Sequence, residues 1–205
     1  RSEAKMFLRN DIMSVLKDEA LKEFIVAQDF VFIVSSTGGG TGSGASPVLY
    51  ETLNQMFTDT NFILIGILPT LNEALSAQTN TIEYLREMYD SITNCTYMIY
   101  DNDKYEKMPS YRMMETVNLA IVKDMMIMRG DYNYATKYDS IDQNDMTRLL
   151  TTPGRIAIAS IYDCKEKDFD DRTIEDAIID EFKHNAHAEL QREAASEYGS
   201  HYESQ

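Results

Sequence analysis

Five of the chain's nine glycines fall between residues 36 and 44, in the stretch STGGGTGSG. The stretch follows an apolar run, Phe30-Val31-Phe32-Ile33-Val34, and precedes SPVLYETLNQMF, whose Val48, Leu49, Leu53, Met56 and Phe57 share one helical face. A glycine-rich turn between a buried strand and a helix suits phosphate. Glycine lets the backbone approach the ligand closely and take positive φ. Successive N–H groups can form an anion nest, and the helix N-terminus adds partial positive charge. Thr41 and Ser43 add hydroxyls to the unbroken Gly38-Gly39-Gly40-Thr41-Gly42-Ser43-Gly44. Two familiar phosphate motifs fail here. No lysine stands where G-x-x-x-x-G-K-[ST] requires one, and G-x-G-x-x-G meets Ser43, Ala45 or Pro47 at its last glycine.

The elements that would position this loop alternate. Residues 3–27 predict a helix striped with Met6, Ile12, Val15, Leu16, Ala20, Leu21, Phe24 and Ile25. FVFIV (30–34), FILIGIL (62–68), CTYMIY (95–100) and GRIAIASIYD (154–163) predict strands, the first two buried on both faces of a parallel sheet. Helices are predicted after the glycines, with Pro47 in the first turn, over 79–92, over the long apolar-striped 110–128, and over the acidic 172–198. This alternation predicts an α/β fold with a Rossmann-like parallel sheet. Ligands in such sheets sit beyond the carboxyl ends of the strands, here segments 35–44, 69–78 and 101–109.

Composition narrows the class. The chain has 205 residues, 43% hydrophobic and 26% charged, enough for a real core. A net charge of −15 repels nucleic-acid phosphates and anionic lipid, so no direct nucleic-acid or membrane partner is expected. No apolar run approaches a membrane span. Cys95 and Cys164 read as two semi-buried thiols in a reducing cytoplasm. His184 and His187, three apart beside Glu181 and Glu189, read as a solvated acidic helix rather than a metal site.

GGGTGSG after an apolar strand resembles the phosphate-binding signature loop of the tubulin/FtsZ superfamily of GTPases. The likeness continues along the chain. In the family the next strand ends in a proline, followed four residues later by a ribose-contacting glutamate, and ILPTLNE supplies Pro69 and Glu73. An arginine near the phosphates is replaced by Ala77. The following strand ends in a pair whose Asn reads guanine, and IYDNDKY supplies Asn102, followed by Asp103 and Lys104. A second guanine-reading residue on the long central helix corresponds to Asn118. One turn earlier, where the family stacks an aromatic on the base, stands Met114.

Further on, Ser140-Ile141-Asp142-Gln143-Asn144-Asp145 resembles the family's N-x-D-x-x-D loop, with Ser140 in place of the Asn. GTP hydrolysis needs a water placed in line with the γ-phosphate, and carboxylates can orient that water and accept its proton. The resemblance implies that Asp142 and Asp145 are catalytic and complete the nucleotide pocket of the next subunit along a filament. Without it, they read as a capped acidic loop. The implied ligands are GTP or GDP with Mg2+, with no protein metal site. The implied partner is the chain itself, head to tail, and a cargo adaptor is a further candidate.

The implied domains are a GTPase domain over 1–109, a central helix over 110–136, and a catalytic loop with the start of a second α/β activation domain over 137–205. The resemblance runs from about residue 28 to about residue 185. The family's first strand and first glycine-rich loop are expected before residue 1, and more activation-domain strands after residue 198. The chain is therefore expected to be cut from a longer protein. Twelve Met, thirteen Tyr and the helix MMETVNLAIVKDMMIM set it apart from FtsZ. It is most similar to the phage tubulins of the PhuZ type, which implies a filament that positions phage DNA in the cytoplasm of an infected bacterium. A plasmid-partitioning TubZ-like filament and an FtsZ-like division protein are the alternatives. Outside the family stand a non-polymerising phosphate-ligand module and a dehydrogenase with an aberrant loop. The dehydrogenase needs an acid at the end of its second strand, and Asp59 lies before that strand.

Overall fold

A computed structural model describes residues 1–91, 95–105, 107–129 and 143–155, all within one compact unit, Arg1–Ile156. The elements run α1 (Ser2–Val15), α2 (Glu19–Val26), β1 (Phe30–Ser36), α3 (Gly40–Met56), β2 (Asn61–Leu68), α4 (Leu75–Ser91) and β3 (Thr96–Asp101). A 3-10 turn (Asn102–Tyr105), α5 (Ser110–Met128), α6 (Gln143–Thr151) and β4 (Gly154–Arg155) follow. The strands form one parallel sheet in the order β1-β2-β3-β4. The expected α/β fold with a parallel sheet is present.

The register pairs Ile33 with Leu64 and Leu64 with Tyr97, which puts the three on one face. That face packs Ile33, Phe62 and Leu64 with Tyr50 and Leu53 of α3, Tyr84 and Met88 of α4, and Ile12, Leu16 and Ile25. Cys95 is buried in the same cluster, and burial pushes its thiol up to about 12. On the opposite face lie Ile63, Ile65, Met98 and Tyr100, all buried. Tyr100 reaches across to α5, whose buried side carries Met113, Val117, Ile121, Asp124 and Met128. With side chains covered on both faces, β2 can be a continuous apolar run.

Several boundaries differ from the sequence expectation. The helix predicted over 3–27 is two helices. Asp18 ends the first path and starts the second, its carboxylate accepting from Ala20 N (2.9 Å) and Leu21 N (3.3 Å). α3 begins at Gly40, so much of the glycine stretch is helix and Pro47 lies inside α3 rather than in its first turn. α4 begins at Leu75, four residues before the predicted start. α5 has the bounds predicted for the apolar-striped helix, Ser110–Met128, and residues 130–136 of the central-helix segment lie outside the described residues. Of the strand predicted over 154–163, only Gly154–Arg155 is described. The helix over 172–198, with His184 and His187, lies outside the described residues, as do Cys164 and, apart from 143–155, the segment predicted as the second domain.

α1 reaches the start of α3 through Arg1. A Cβ on Gly44 would stand 2.4 Å from the Arg1 carbonyl oxygen. The Arg1 guanidinium bonds Glu83 (3.1 Å) and Glu87 (2.5 Å) on α4, and Lys5 also pairs with Glu87. Arg1, Lys5 and the glycine contacts thus clamp α1, α3 and α4 together around the N-terminal end of α3.

Candidate nucleotide site

β1, β2 and β3 run parallel, so their carboxyl ends lie at the same edge of the sheet as the glycine stretch that follows β1. Past the end of β1, Thr37 N donates to Ile67 O at 2.9 Å, carrying the sheet pairing one residue further. The Thr37 hydroxyl is fully buried and meets Ile67 O (3.1 Å) and the Thr81 hydroxyl of α4 (2.9 Å). The chain then turns through Gly38 and Gly39 into α3. A Cβ on Gly38 would come within 3.2 Å of both Ala77 and Pro69. Gly38 is therefore brought against both ends of the segment 69–78 that the sequence placed around the ligand. Ala77, where the family resemblance calls for arginine, is small enough to permit that approach.

None of the loop glycines has positive φ, and the left-handed nest expected from the sequence is not formed. The donors come instead from the helix end. Gly39 is the N-cap, with φ −74° and ψ 145°, and no side chain caps α3. The N–H groups of Gly40, Thr41 and Gly42 have no carbonyl one turn back to receive them. Three parallel N–H dipoles at the positive end of a 17-residue helix attract an anion. Gly42 serves packing: a Cβ there would stand 2.2 Å from Ser36 O. Ser43 is buried and donates to Gly39 O at 2.7 Å, which braces the first turn from inside, while Thr41 is exposed at the helix end.

The loop after β2 is tied to itself and to its neighbours. Pro69 is buried. Glu73 accepts from Thr70 N through Oε1 at 3.0 Å, and Gln78 donates to Thr70 O at 2.7 Å. Leu71 N donates to Asp103 Oδ1 at 2.8 Å, joining this loop to the one after β3. Asp103 is itself held, its N–H donating to Asp101 Oδ1 at 2.9 Å. Asn102 opens the 3-10 turn and is half-buried. On α5, Met114 and Asn118 stand one turn apart, both exposed, and so share a face.

Tyr100, two residues before Asn102, donates to Asp124 Oδ2 at 2.7 Å. Burial and the neighbouring Asp124 push the Tyr100 phenol far above its ordinary value, and the same two causes raise Tyr105. Asp124 thus ties the central helix to the strand that delivers Asn102. It stands in the stripe Val117, Ile121, Asp124, Met128, where the sequence reading saw only apolar positions. Thr37, Thr81 and Asp103 were likewise not singled out as site residues. Their only signal was position, at the strand ends or on the first turns of α4.

Asp145 lies in the first turn of α6 and is exposed. Asp142 and Ser140 lie outside the described residues. A concavity of about 440 Å³, lined by Phe30, Phe32, Val122, Met125 and Leu150, lies away from the glycine stretch. Among the described residues no helix is long and apolar enough to cross a membrane.

The profile described as Tubulin/FtsZ family, GTPase domain, matches residues 10–109. The tubulin-like protein CetZ of Pyrococcus furiosus is 27% identical over 155 residues, covering 73% of this chain and 41% of that protein. The chain spans about two-fifths of the length of the curated relatives it matches first. Among solved structures, TubZ of Clostridium botulinum phage c-st superposes with a TM-score of 0.68 at 20% identity, covering 93% of this chain and 59% of that one. A GTPgS-bound protofilament of CetZ2 from Haloferax volcanii superposes with a TM-score of 0.54 at 25% identity, covering 62% of this chain and 37% of that one. The parallel sheet, the glycine stretch opening α3 and the matched profile agree: residues 10–109 are similar to the GTPase domain of the tubulin/FtsZ family.

Proposed function

We propose that the chain is the nucleotide-gripping part of a GTPase that polymerises into filaments, with hydrolysis at the junction between successive subunits. The observation that carries the reading is the open N-terminus of α3, bare of side-chain caps and packed by Gly38 against Pro69 and Ala77. In the stretch Gly38 to Gly44, phosphates sit at the N–H groups of Gly39, Gly40, Thr41 and Gly42, with Gly38, Ser43 and Gly44 shaping the turn behind them and Mg2+ accompanying the phosphates. Glu73 faces the ribose, Asn102 and Asn118 read guanine, and Met114 packs on the base. Asp142 and Asp145 act on the nucleotide of a neighbouring subunit, where they orient the attacking water and accept its proton. Keeping these carboxylates off the chain's own triphosphate avoids charge repulsion during binding and couples hydrolysis to assembly. The GTPgS-bound protofilament of the CetZ2 relative supports self-association as the mode of assembly.

Within this class, the phage-tubulin reading, in which a PhuZ-like filament positions phage DNA in the host cytoplasm, draws support from the likeness to TubZ of phage c-st. A TubZ-like partitioning filament draws on the same likeness. CetZ-like and FtsZ-like roles are supported equally by the archaeal relatives. In each case the filament itself makes no contact with DNA, in keeping with the net charge of −15.

GTP turnover measured against the concentration of the full-length protein tests the proposal. Turnover is expected to vanish below a critical concentration. Asp145→Ala is expected to bind GTP and assemble but to hydrolyse at least ~100-fold more slowly. Specific turnover independent of concentration, or a fully active Asp145→Ala, overturns the composite site.

A further inference from the structure

The peptide between Gly38 and Gly39 is the hinge from β1 into α3, with glycine on both sides. Lacking Cβ atoms, two glycines restrain the rotation of that peptide only weakly. Its orientation matters for an anion. In a trans peptide the C=O and the N–H point in opposite directions, so one orientation offers a donor and the other an acceptor that repels phosphate.

In this fold the choice is made by α4. Asn80 Nδ2 donates to Gly38 O at 2.9 Å. The assignment of the amide follows from its partner, since a carbonyl oxygen accepts only from the NH2 end. The next residue, Thr81, is buried and its hydroxyl meets that of Thr37 at 2.9 Å. Ala77, one turn earlier, closes on Gly38. Three residues on the first turns of α4 therefore hold two consecutive residues of the turn, and the Gly38 carbonyl is drawn toward α4. The Gly39 N–H then points the other way, out of the turn, where Gly39 is exposed.

We propose that Asn80 is a positioning residue of the phosphate loop. By holding the Gly38 carbonyl it keeps the Gly38–Gly39 peptide in its donor-outward orientation, so that Gly39 N–H joins those of Gly40, Thr41 and Gly42 toward the phosphates. The inference rests on the proposed phosphate-binding role of this loop. It assigns Asn80 to recognition of phosphate and not of base or ribose.

The test is calorimetric binding of GDP and of guanosine to the full-length protein and to Asn80→Ala and Asn80→Asp, with thermal unfolding of each unliganded protein. Asn80→Ala removes the donor without adding charge. It is expected to weaken GDP binding at least tenfold, leave guanosine binding within twofold, and lower the unfolding midpoint by no more than the loss of one hydrogen bond does. Asn80→Asp keeps the shape but has no donor, and is expected to weaken GDP further. A wild-type protein that binds GDP no better than guanosine, or binds neither, overturns the phosphate-loop reading and this inference with it. A wild type that prefers GDP, together with an Asn80→Ala variant that binds GDP normally, overturns the role of Asn80 alone. Equal losses of GDP and guanosine with a lowered midpoint assign Asn80 to general stability and also overturn it.

Discussion

The Tyr100 hydroxyl donates to Asp124 Oδ2 at 2.7 Å across the second face of the sheet, with Tyr100 1% and Asp124 3% exposed. A carboxylate this deep in an apolar stripe needs partners, and the phenol of β3 is one of them. Through this pair the central helix is held to the strand that ends at Asn102. Tyr100→Phe is expected to lower unfolding free energy by about 1.5–3 kcal/mol, the range for a hydrogen bond to a charged group. Urea titration measures it. In an Asp124→Ala background the same substitution should cost at least ~1 kcal/mol less, because the two residues act as a pair.

Alkaline pH should destabilise the chain. Burial raises the phenols of Tyr50, Tyr84 and Tyr100 above their ordinary 10.0, and lifts the Cys95 thiol from 9.0 to about 12. Above pH 9 the unfolded chain releases protons that the native chain still binds. Stability from these groups is therefore complete below pH 9 and falls as pH rises toward 12. The slope is up to about 1.4 kcal/mol per pH unit for each group ionised only in the unfolded state. Urea midpoints between pH 8 and 11 check the sign. At pH 8 a thiol reagent should leave Cys95 unmodified in the native chain and label it in urea.

Gly39 and Gly42 should respond differently to the same substitution. Gly42→Ala drives a Cβ to 2.2 Å from Ser36 O, so the strand end or the helix start must shift. A stability loss of about 1–3 kcal/mol is expected. A Cβ on Gly39 meets nothing within 4 Å, and its φ of −74° suits any residue. Gly39→Ala should change stability by less than about 0.5 kcal/mol. Thermal or urea unfolding of the pair decides it.

Asn118 is exposed on α5, one turn from Met114. Asn118→Ala is expected to change stability by less than about 0.5 kcal/mol and, if the lost contact reads the base as proposed, to weaken GDP by at least ~10-fold while changing ADP binding little. Competition binding of the two nucleotides measures the effect. An equal loss for GDP and ADP removes Asn118 from guanine recognition.

The strands were legible because apolar runs such as FILIGIL have few other places to go, and β1, β2 and β3 lie within two residues of their predicted ends. The bounds of α5 were legible from its uninterrupted 3.6-residue period. The start of α3 was not. Glycine is a poor helix former, so GGGTGSG reads as loop. The break at Asp18 was missed because an apolar stripe continues through it, while a side-chain cap restarts the backbone.

By itself the sequence determined a parallel α/β sheet, a phosphate-suited turn after its first strand, and the spacing of Pro69, Glu73, Asn102 and Asn118 behind it. These follow from local rules: apolar period, glycine clustering and fixed offsets along the chain. Tertiary structure alone decided which way the turn presents its peptides. Asn80 is 42 residues from Gly38 and Asp124 is 24 from Tyr100, and no periodicity links residues that far apart. Such pairs meet only after the helices have packed on the sheet, and they are made because a buried carbonyl or carboxylate must find a donor.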